Sequence, residues 1–202
     1  YSFIGASPDG INIDKDNPRF ARMLEIKNVV SREITGIPKP EYWIQMQVQM
    51  ETCNLNECDF LETKFVEYEN YQDFKDDGTF TYNEDNKLKG IMLLFNNNGN
   101  TFYEYAHLYI SEQDYLIWEN KMFEKNSEYV WIRTIYWKLE KISNVLVLRN
   151  KLWFNAAVPK FKEIWDTIEK ERITGYEHRA PKKRSYSQNM HNKCLINIQK
   201  LA

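Results

Sequence analysis

Hydrophobic and polar positions in the first third of the chain predict two strands, a helix and a third strand. Residues 1–13 and 20–30 alternate loosely on either side of a hydrophilic turn, which is typical of a β-hairpin. A helix is predicted over residues 40–53, because proline suits a first helical turn and apolar side chains recur every three or four positions. Alternation over residues 58–68 predicts the third strand. This order favours an α/β (α+β) fold in which helices flank a mixed central sheet.

The rest of the chain predicts further strands and helices within the same domain. Residues 70–89 are polar, acidic and without periodicity, so we expect a surface excursion there. A second hairpin, a helix capped by Ser111, a long stretch of strand and a last helix are then predicted, at residues 91–110, 111 onward, 129–147 and 158–173. We predict one domain, residues 1–175, followed by a basic and polar tail, residues 176–202.

The composition is that of an ordinary globular protein, and it indicates the cellular compartment in which the protein is expected. Of the 202 residues, 43% are hydrophobic and 28% charged. No apolar run approaches the roughly 20 residues that span a bilayer, so no membrane partner is expected. Three cysteines favour a reducing, intracellular compartment, cytoplasmic or nuclear. The net charge of -2 still permits a local basic groove for nucleic acid. Because the chain starts at Tyr1 without an initiator methionine, we expect a fragment that lacks its N-terminal part.

The chemistry worth testing lies in the opening hairpin. Glu25 and Lys27 share one strand face, roughly 7 Å apart, while Leu24 and Ile26 are expected to anchor the other face in a core. The hairpin brings Asp9 alongside this pair. Carboxylates of Asp9 and Glu25 suit Mg²⁺, and a backbone carbonyl between Glu25 and Lys27 adds a third oxygen ligand. Bound Mg²⁺ supplies the activated water and charge neutralisation of phosphodiester hydrolysis, and the ammonium of Lys27 is placed to orient that water.

Two neighbouring patterns leave alternatives open. The predicted helix carries Gln45, Gln47 and Gln49, and its periodicity does not decide which glutamine matters. Glu62 and Lys64 repeat the acid-x-lysine spacing on the third strand. They either line the same cleft or form a cross-strand ion pair.

Three motifs in order resemble the YqaJ-type viral recombinase family. They are Ser7-Pro8-Asp9-Gly10, Leu24-Glu25-Ile26-Lys27 and Tyr42-x-x-Gln45-x-Gln47. These are phage-lambda-exonuclease-like nucleases of the PD-(D/E)xK superfamily, and residues 44–65 look most like versions carried by large DNA viruses. The resemblance implies a restriction-endonuclease-like sheet. It also implies an exonuclease that uses Mg²⁺, with Mn²⁺ as a substitute, to degrade the 5′-ended strand of duplex DNA for recombination or repair.

The resemblance also assigns roles residue by residue. Asp9 and Glu25 match the family's metal ligands, and the carbonyl of Ile26 matches its backbone ligand. Lys27 matches the catalytic lysine, and Gln47 matches the glutamine on the following helix. Implied partners are double-stranded DNA ends, a single-strand annealing protein and further copies of the chain in a homo-oligomer.

The sequence also permits a function that is not enzymatic. Family members carry an N-terminal helical region with a further acidic metal-site residue and with groups that receive the 5′ phosphate, and this chain does not include it. The alternative is therefore a catalytically silent DNA-binding or assembly module with the same fold. The basic cluster of the tail, from Arg179 to Arg184, is interpreted as a solvated segment rather than as a phosphate-binding site.

Overall fold

A computed structural model describes residues 1–181 of the chain. Its strands are β1 (Gly10–Ile11), β2 (Met23–Asn28), β3 (Glu57–Glu67), β4 (Lys89–Asn97), β5 (Asn100–Tyr105) and β6 (Val130–Leu148). Its helices are α1 (Pro40–Thr52), α2 (Tyr71–Asp76), α3 (Glu112–Lys125) and α4 (Lys151–Thr174), followed by a short 3-10 turn, Glu177–Arg179.

The strands form one six-stranded mixed sheet in the order β1-β2-β3-β6-β4-β5. β2 and β3 run parallel, and α1 provides the crossover between them. All other neighbouring strands are antiparallel. The predicted mixed α/β architecture, with helices flanking the sheet, is confirmed.

The first core cluster lies between α1 and the sheet. Met46 and Met50 of α1 are fully buried against Met23, Cys58 and Phe60 of the neighbouring strands. The helix therefore covers the face of β2 that carries its odd-numbered side chains.

The expectation that Leu24 and Ile26 anchor β2 in the core is wrong. Met23 is 0% exposed and Glu25 1%, whereas Ile26 is 38% exposed. Alternation places residues of one parity on one face but does not reveal which face a helix will cover. Here α1 covers the acidic face.

A second core lies where α2 and α3 pack on β4. Phe74 of α2, Ile91 of β4 and Tyr115 of α3 are buried together. Ser111 caps α3, since its hydroxyl oxygen accepts from the N–H of Asp114 at 3.1 Å, as the sequence predicts. Residues 70–89 are more than a surface excursion, because they include α2 and the fully buried Phe74.

The C-terminal elements are longer than expected, and the chain divides into two compact units. β6 is a single strand of 19 residues, and α4 begins at Lys151 rather than near residue 158. The first unit is Tyr1–Ala157 and the second begins at Val158, while the boundary expected at residue 175 stays a prediction. In the second unit Arg179 pairs with Glu171, and the other basic residues of the predicted tail cluster lie outside the described residues. Within residues 1–181, no helix has the length and apolarity to cross a membrane.

Candidate metal and phosphate site

The hairpin of β1 and β2 brings Asp9 to the backbone of Ile26. Gly10 pairs with Leu24, so the antiparallel register places Asp9 beside Glu25, one position before Ile26. Oδ2 of Asp9 accepts a hydrogen bond from the N–H of Ile26 at 2.7 Å. The N–H and C=O of a strand residue leave the strand on the same edge. The carbonyl of Ile26 therefore faces the edge on which Asp9 lies.

Glu25 is a buried carboxylate held by three side-chain donors. Its Oε1 accepts from the ammonium of Lys27 and from Nε2 of Gln45, the latter at 2.7 Å. Its Oε2 accepts from Nε2 of Gln49 at 2.8 Å. A carboxylate offers about four lone-pair positions, so Glu25 retains capacity for one more partner. The prediction that Glu25 and Lys27 share one face is confirmed.

The burial of Glu25 follows from α1 and from the strand beside it. Glu25 lies opposite the fully buried Phe60 in the parallel register of β2 and β3. Cys58 lies on the same face of β3, and its thiol shows that this region is poorly solvated. Burial raises the pKa of the thiol to about 12, and the negative charge of Glu25 adds to the shift. A charge in such a place needs partners, and Lys27 and the two glutamines provide them.

The three glutamines of α1 make different contacts. Gln47 was matched to the site, but its Nε2 donates to the carbonyl of Leu148 at 3.0 Å and its Oε1 accepts from the N–H of Asn150 at 2.6 Å. It joins α1 to the end of β6 and makes no hydrogen bond with Glu25. Gln45 and Gln49 contact Glu25 instead, because residues four apart share a helix face. This i, i+4 spacing was the sequence signal that could have identified Gln49.

Gln49 also carries a buried acceptor without a donor. Its Nε2 is shared between Oε2 of Glu25 and the carbonyl of Ser7, the latter at 3.0 Å. Its Oε1 is buried and accepts no hydrogen bond from the described residues. A buried unsatisfied oxygen is costly, so a cation or a donor beside it is favoured.

A second buried carboxylate lies next to Lys27. Glu62 is directly opposite Lys27 in the register and is 1% exposed. It pairs with the guanidinium of Arg32, and this hydrogen bond raises the pKa of Arg32. Both cations lie near the ring of Tyr42, whose centroid is 5.1 Å from Nζ of Lys27 and 5.5 Å from Cζ of Arg32. Glu62 therefore lies beside Lys27 and pairs with Arg32, while Lys64 lies further along β3, opposite Lys141.

The atoms at this place suit a hard divalent cation. Asp9 and Glu25 contribute carboxylate oxygens, Ile26 contributes a carbonyl, and all are the oxygen ligands that Mg²⁺ prefers. The two carboxylates and Lys27 together carry one net negative charge, which a cation would offset. No cluster of three or more His, Cys, Asp or Glu side chains within residues 1–181 is arranged to hold a metal. Metal binding here thus depends on two carboxylates together with backbone and amide oxygens.

Comparison with known proteins finds a viral relative. The chain is 29% identical to an uncharacterized protein of Acanthamoeba polyphaga mimivirus over 203 aligned residues. The alignment covers 83% of this chain and 37% of the relative, so the chain spans little more than a third of that protein's length. No protein-family model matches the chain.

Proposed function

We propose that this chain is the catalytic core of a magnesium-dependent deoxyribonuclease. The observation that carries the proposal is the convergence on one strand segment of Asp9, the buried Glu25 and Lys27. Two carboxylates can hold a metal ion for phosphodiester hydrolysis, and a lysine beside them can stabilise the charge that develops on the phosphate. The motif resemblance to lambda-exonuclease-like recombinases supports the same chemistry. The mimivirus relative is consistent with the expectation that the sequence looks like versions carried by large DNA viruses.

Asp9, Glu25 and the carbonyl of Ile26 are the groups that would hold Mg²⁺. When bound, Mg²⁺ supplies an activated water and neutralises charge on the scissile phosphate. Gln45 and Gln49 fix the orientation of the Glu25 carboxylate, since each donates to a different oxygen. A fixed carboxylate needs no reorganisation when a ligand arrives.

Lys27 is the residue that would interact with the substrate phosphate. Its side chain is 24% exposed, whereas that of Glu25 is 1% exposed, so the ammonium lies at the mouth of a buried carboxylate. There it can donate to the attacking water and offset charge that develops on the phosphate. Arg32, which contacts the same Tyr42 ring as Lys27, adds a second cation at this opening. Because Lys27 is paired with Glu25 and Arg32 with Glu62, this opening would favour a polyanionic substrate once Mg²⁺ is bound.

The substrate we propose is the end of duplex DNA, with degradation of the 5′-ended strand for recombination or repair. Such an activity belongs in an intracellular compartment that holds DNA. A single-strand annealing protein is the partner that would use the exposed strand.

Digestion of end-labelled linear duplex in Mg²⁺ tests the proposal. Glu25→Gln and Lys27→Met are each expected to lower kcat by at least about 100-fold, as is typical for loss of a group that stabilises transition-state charge. Lys64→Met is the matched control, because Lys64 also follows a buried glutamate by two positions but lies further along β3. It is expected to retain kcat within about threefold.

The substrate form separates the competing functions. Release of nucleotides from 5′-labelled linear DNA, with closed circular DNA left intact, is expected of the exonuclease. Cutting of closed circles would indicate an endonuclease instead. Salt-dependent DNA binding without cleavage in Mg²⁺ or Mn²⁺ would favour the silent DNA-binding module, and unchanged digestion by the Lys27→Met protein would rule out the proposed site.

A further inference from the structure

Glu62 is a buried carboxylate with one oxygen that has no hydrogen-bond donor. Its side chain is 1% exposed, and its Oε1 accepts from the guanidinium of Arg32. Its Oε2 is buried as well and accepts no hydrogen bond from any group within residues 1–181. Most buried polar atoms in folded proteins have a partner, and a buried acceptor without one is costly. A donor that is engaged elsewhere in this structure would account for the free oxygen.

Lys27 has a donor within reach of this oxygen. It lies directly opposite Glu62 in the parallel register of β2 and β3, and neighbouring strands are about 4.8 Å apart. A lysine ammonium carries three donors on a flexible four-carbon stem. In this structure the ammonium donates to Oε1 of Glu25, two positions earlier on its own strand. Lys27 therefore has two buried carboxylates within reach and pairs with one of them.

The carboxylate that Lys27 now contacts is the one that a cation would bind. Glu25 already accepts hydrogen bonds from three side chains, so a cation on this carboxylate competes with the Lys27 ammonium for Oε1. The two positive charges also repel each other. Oε2 of Glu62 is negatively charged, buried and without a competing donor. It is therefore the favourable place for a displaced ammonium.

We propose that Glu62 is the second acceptor of Lys27. When the charge of Glu25 is neutralised, by a bound cation or by substitution, the Lys27 ammonium moves to Oε2 of Glu62. Glu62 is then a positioning residue, because it acts on the substrate phosphate only through Lys27. The ammonium keeps two further N–H donors for water and phosphate. The catalytic consequence rests on the proposed nuclease function, whereas the exchange of partners does not.

Ser143 is the competing donor on the other side of Glu62. It lies opposite Glu62 in the antiparallel register of β3 and β6, so both side chains lie on one face of the sheet. Its hydroxyl makes no hydrogen bond with Oε2 of Glu62 in this structure. An ammonium forms a stronger hydrogen bond with a carboxylate than a hydroxyl does, because both partners are charged. The chemistry therefore favours Lys27, and the experiment includes Ser143 as a comparison.

Urea unfolding of the full 202-residue chain, without metal or DNA, tests the exchange of partners. Glu25→Gln imitates the neutralised carboxylate. The coupling between Lys27→Met and Glu62→Gln is measured in a double-mutant cycle, once with Glu25 intact and once with Glu25→Gln in all four proteins. The coupling factor in the unfolding equilibrium constant is expected to be at least about fivefold larger in the second cycle, because Lys27 then pairs with Glu62.

Lys64 provides the matched control for the urea experiment. It follows Glu62 by two positions on β3 and therefore lies on the same face of the sheet. The coupling between Lys64→Met and Glu62→Gln is expected to change less than about twofold when Glu25→Gln is introduced. A general change in the electrostatics of this face would alter the coupling of both lysines, whereas the proposed exchange alters that of Lys27.

Cleavage of linear duplex in Mg²⁺ tests the positioning role. Glu62→Gln is expected to lower kcat at least about tenfold and to leave KM within about threefold, because Lys27 acts on charge that develops in the transition state. In the Lys27→Met protein the same substitution is expected to lower kcat less than about threefold, since the group that it positions is gone. Ser143→Ala is expected to retain kcat within about threefold.

Three results would overturn the proposal. One is equal coupling of Lys27 and Glu62 in the two urea cycles, and another is an equal loss of kcat from Glu62→Gln with and without Lys27. The third is a loss from Ser143→Ala as large as that from Glu62→Gln, which would assign the free oxygen to the serine. If the Glu25→Gln proteins do not fold, the kinetic comparison decides. If the wild type does not cleave DNA, the nuclease proposal fails and the urea cycles still decide the exchange.

Discussion

Nε2 of Gln49 donates to Oε2 of the buried Glu25 carboxylate at 2.8 Å. The same amide nitrogen donates to the carbonyl of Ser7, which ties α1 to the turn that carries Asp9. Gln49 thereby links the helix, the proposed metal-binding strand and the hairpin turn. Gln47, two positions earlier on the same helix, instead contacts residues that follow it by about a hundred positions.

The two glutamines are expected to have different roles. Gln49→Met leaves Oε2 of Glu25 without this donor and is expected to lower nuclease kcat at least tenfold, roughly the effect of losing one oriented hydrogen bond. Gln47→Met leaves the N–H of Asn150 and the carbonyl of Leu148 unpaired. It is expected to reduce the free energy of unfolding by about 1–3 kcal/mol and to change kcat little. Kinetics and urea unfolding of both variants separate the roles, and equal kcat losses would contradict this assignment.

Mg²⁺ is expected to stabilise the folded protein through Asp9 and Glu25. A ligand that binds only the folded state at ten times its dissociation constant adds about 1.4 kcal/mol. The thermal midpoint of the wild type is therefore expected to rise by a few degrees as Mg²⁺ is titrated. Asp9→Asn and Glu25→Gln should reduce or abolish the rise, and Asp14→Asn, on the exposed hairpin turn, should not. An identical rise in all four proteins would place the cation elsewhere.

The pair of Glu62 and Arg32 is expected to be strongly coupled. Glu62 is 1% exposed and Arg32 23% in their side chains, so removing either partner leaves a poorly solvated charge. Glu62→Met or Arg32→Met alone should cost about 3–5 kcal/mol of unfolding free energy. The double variant should cost much less than the sum of both. The exposed pair of Lys39 and Glu41 is the comparison, with an expected coupling below about 1 kcal/mol; similar coupling in the two pairs would contradict the prediction.

Lys89 is expected to hold the segment after α2. Its side chain is buried, and its ammonium donates to the carbonyls of Phe74, Asp77 and Thr79, the last two at 2.6 and 2.8 Å. Burial lowers the pKa of Lys89. Lys89→Met leaves these carbonyls without their donor and should cost about 2–4 kcal/mol in urea unfolding.

The control for Lys89 is its neighbour Lys87. The ammonium of Lys87 donates to the carbonyl of Glu140 at 2.8 Å from a more exposed position. Lys87→Met should cost less than about 1 kcal/mol. A loss no larger for Lys89→Met than for Lys87→Met would show that the buried contacts contribute little.

Asp77 is expected to make the fold acid-sensitive. The hydrogen bond from Lys138, followed by the N–H of Glu84, lowers the pKa of Asp77 from 3.8 to about 2. A carboxyl whose pKa is lower in the folded state stabilises above its unfolded pKa and loses this contribution as pH falls towards the folded value. Up to about 2 kcal/mol should disappear between about pH 4 and pH 2.

Asp77→Asn tests the origin of that acid sensitivity. Its unfolding free energy should depend less on pH than that of the wild type in the same window. Asp85→Asn is the control, because the side chain of Asp85 is 74% exposed and its pair with Lys87 spans 3.4 Å. A wild-type pH dependence that persists in the Asp77→Asn protein would exclude Asp77 as its source.

Local patterns were sufficient for the elements and for part of the site. The alternation around Glu25 and Lys27 put both side chains on one strand face, and the turn after Asp9 predicted the hairpin. Ser111 identified the start of α3. These inferences succeed because strand alternation, turn chemistry and helix caps depend on residues a few positions apart.

Contacts between distant residues decided the rest. The alternation of β2 does not show which of its two faces is buried. The path of α1 from β2 to β3 determined that Met23 and Glu25 are buried rather than Ile26. Likewise, the hydrogen bonds of Gln47 go to Leu148 and Asn150, which follow it by more than a hundred positions. The sequence by itself determined that an acid and a lysine share a strand face. The tertiary structure decided that this acid is buried and which glutamines hold it, because burial depends on packing between segments that no local pattern encodes.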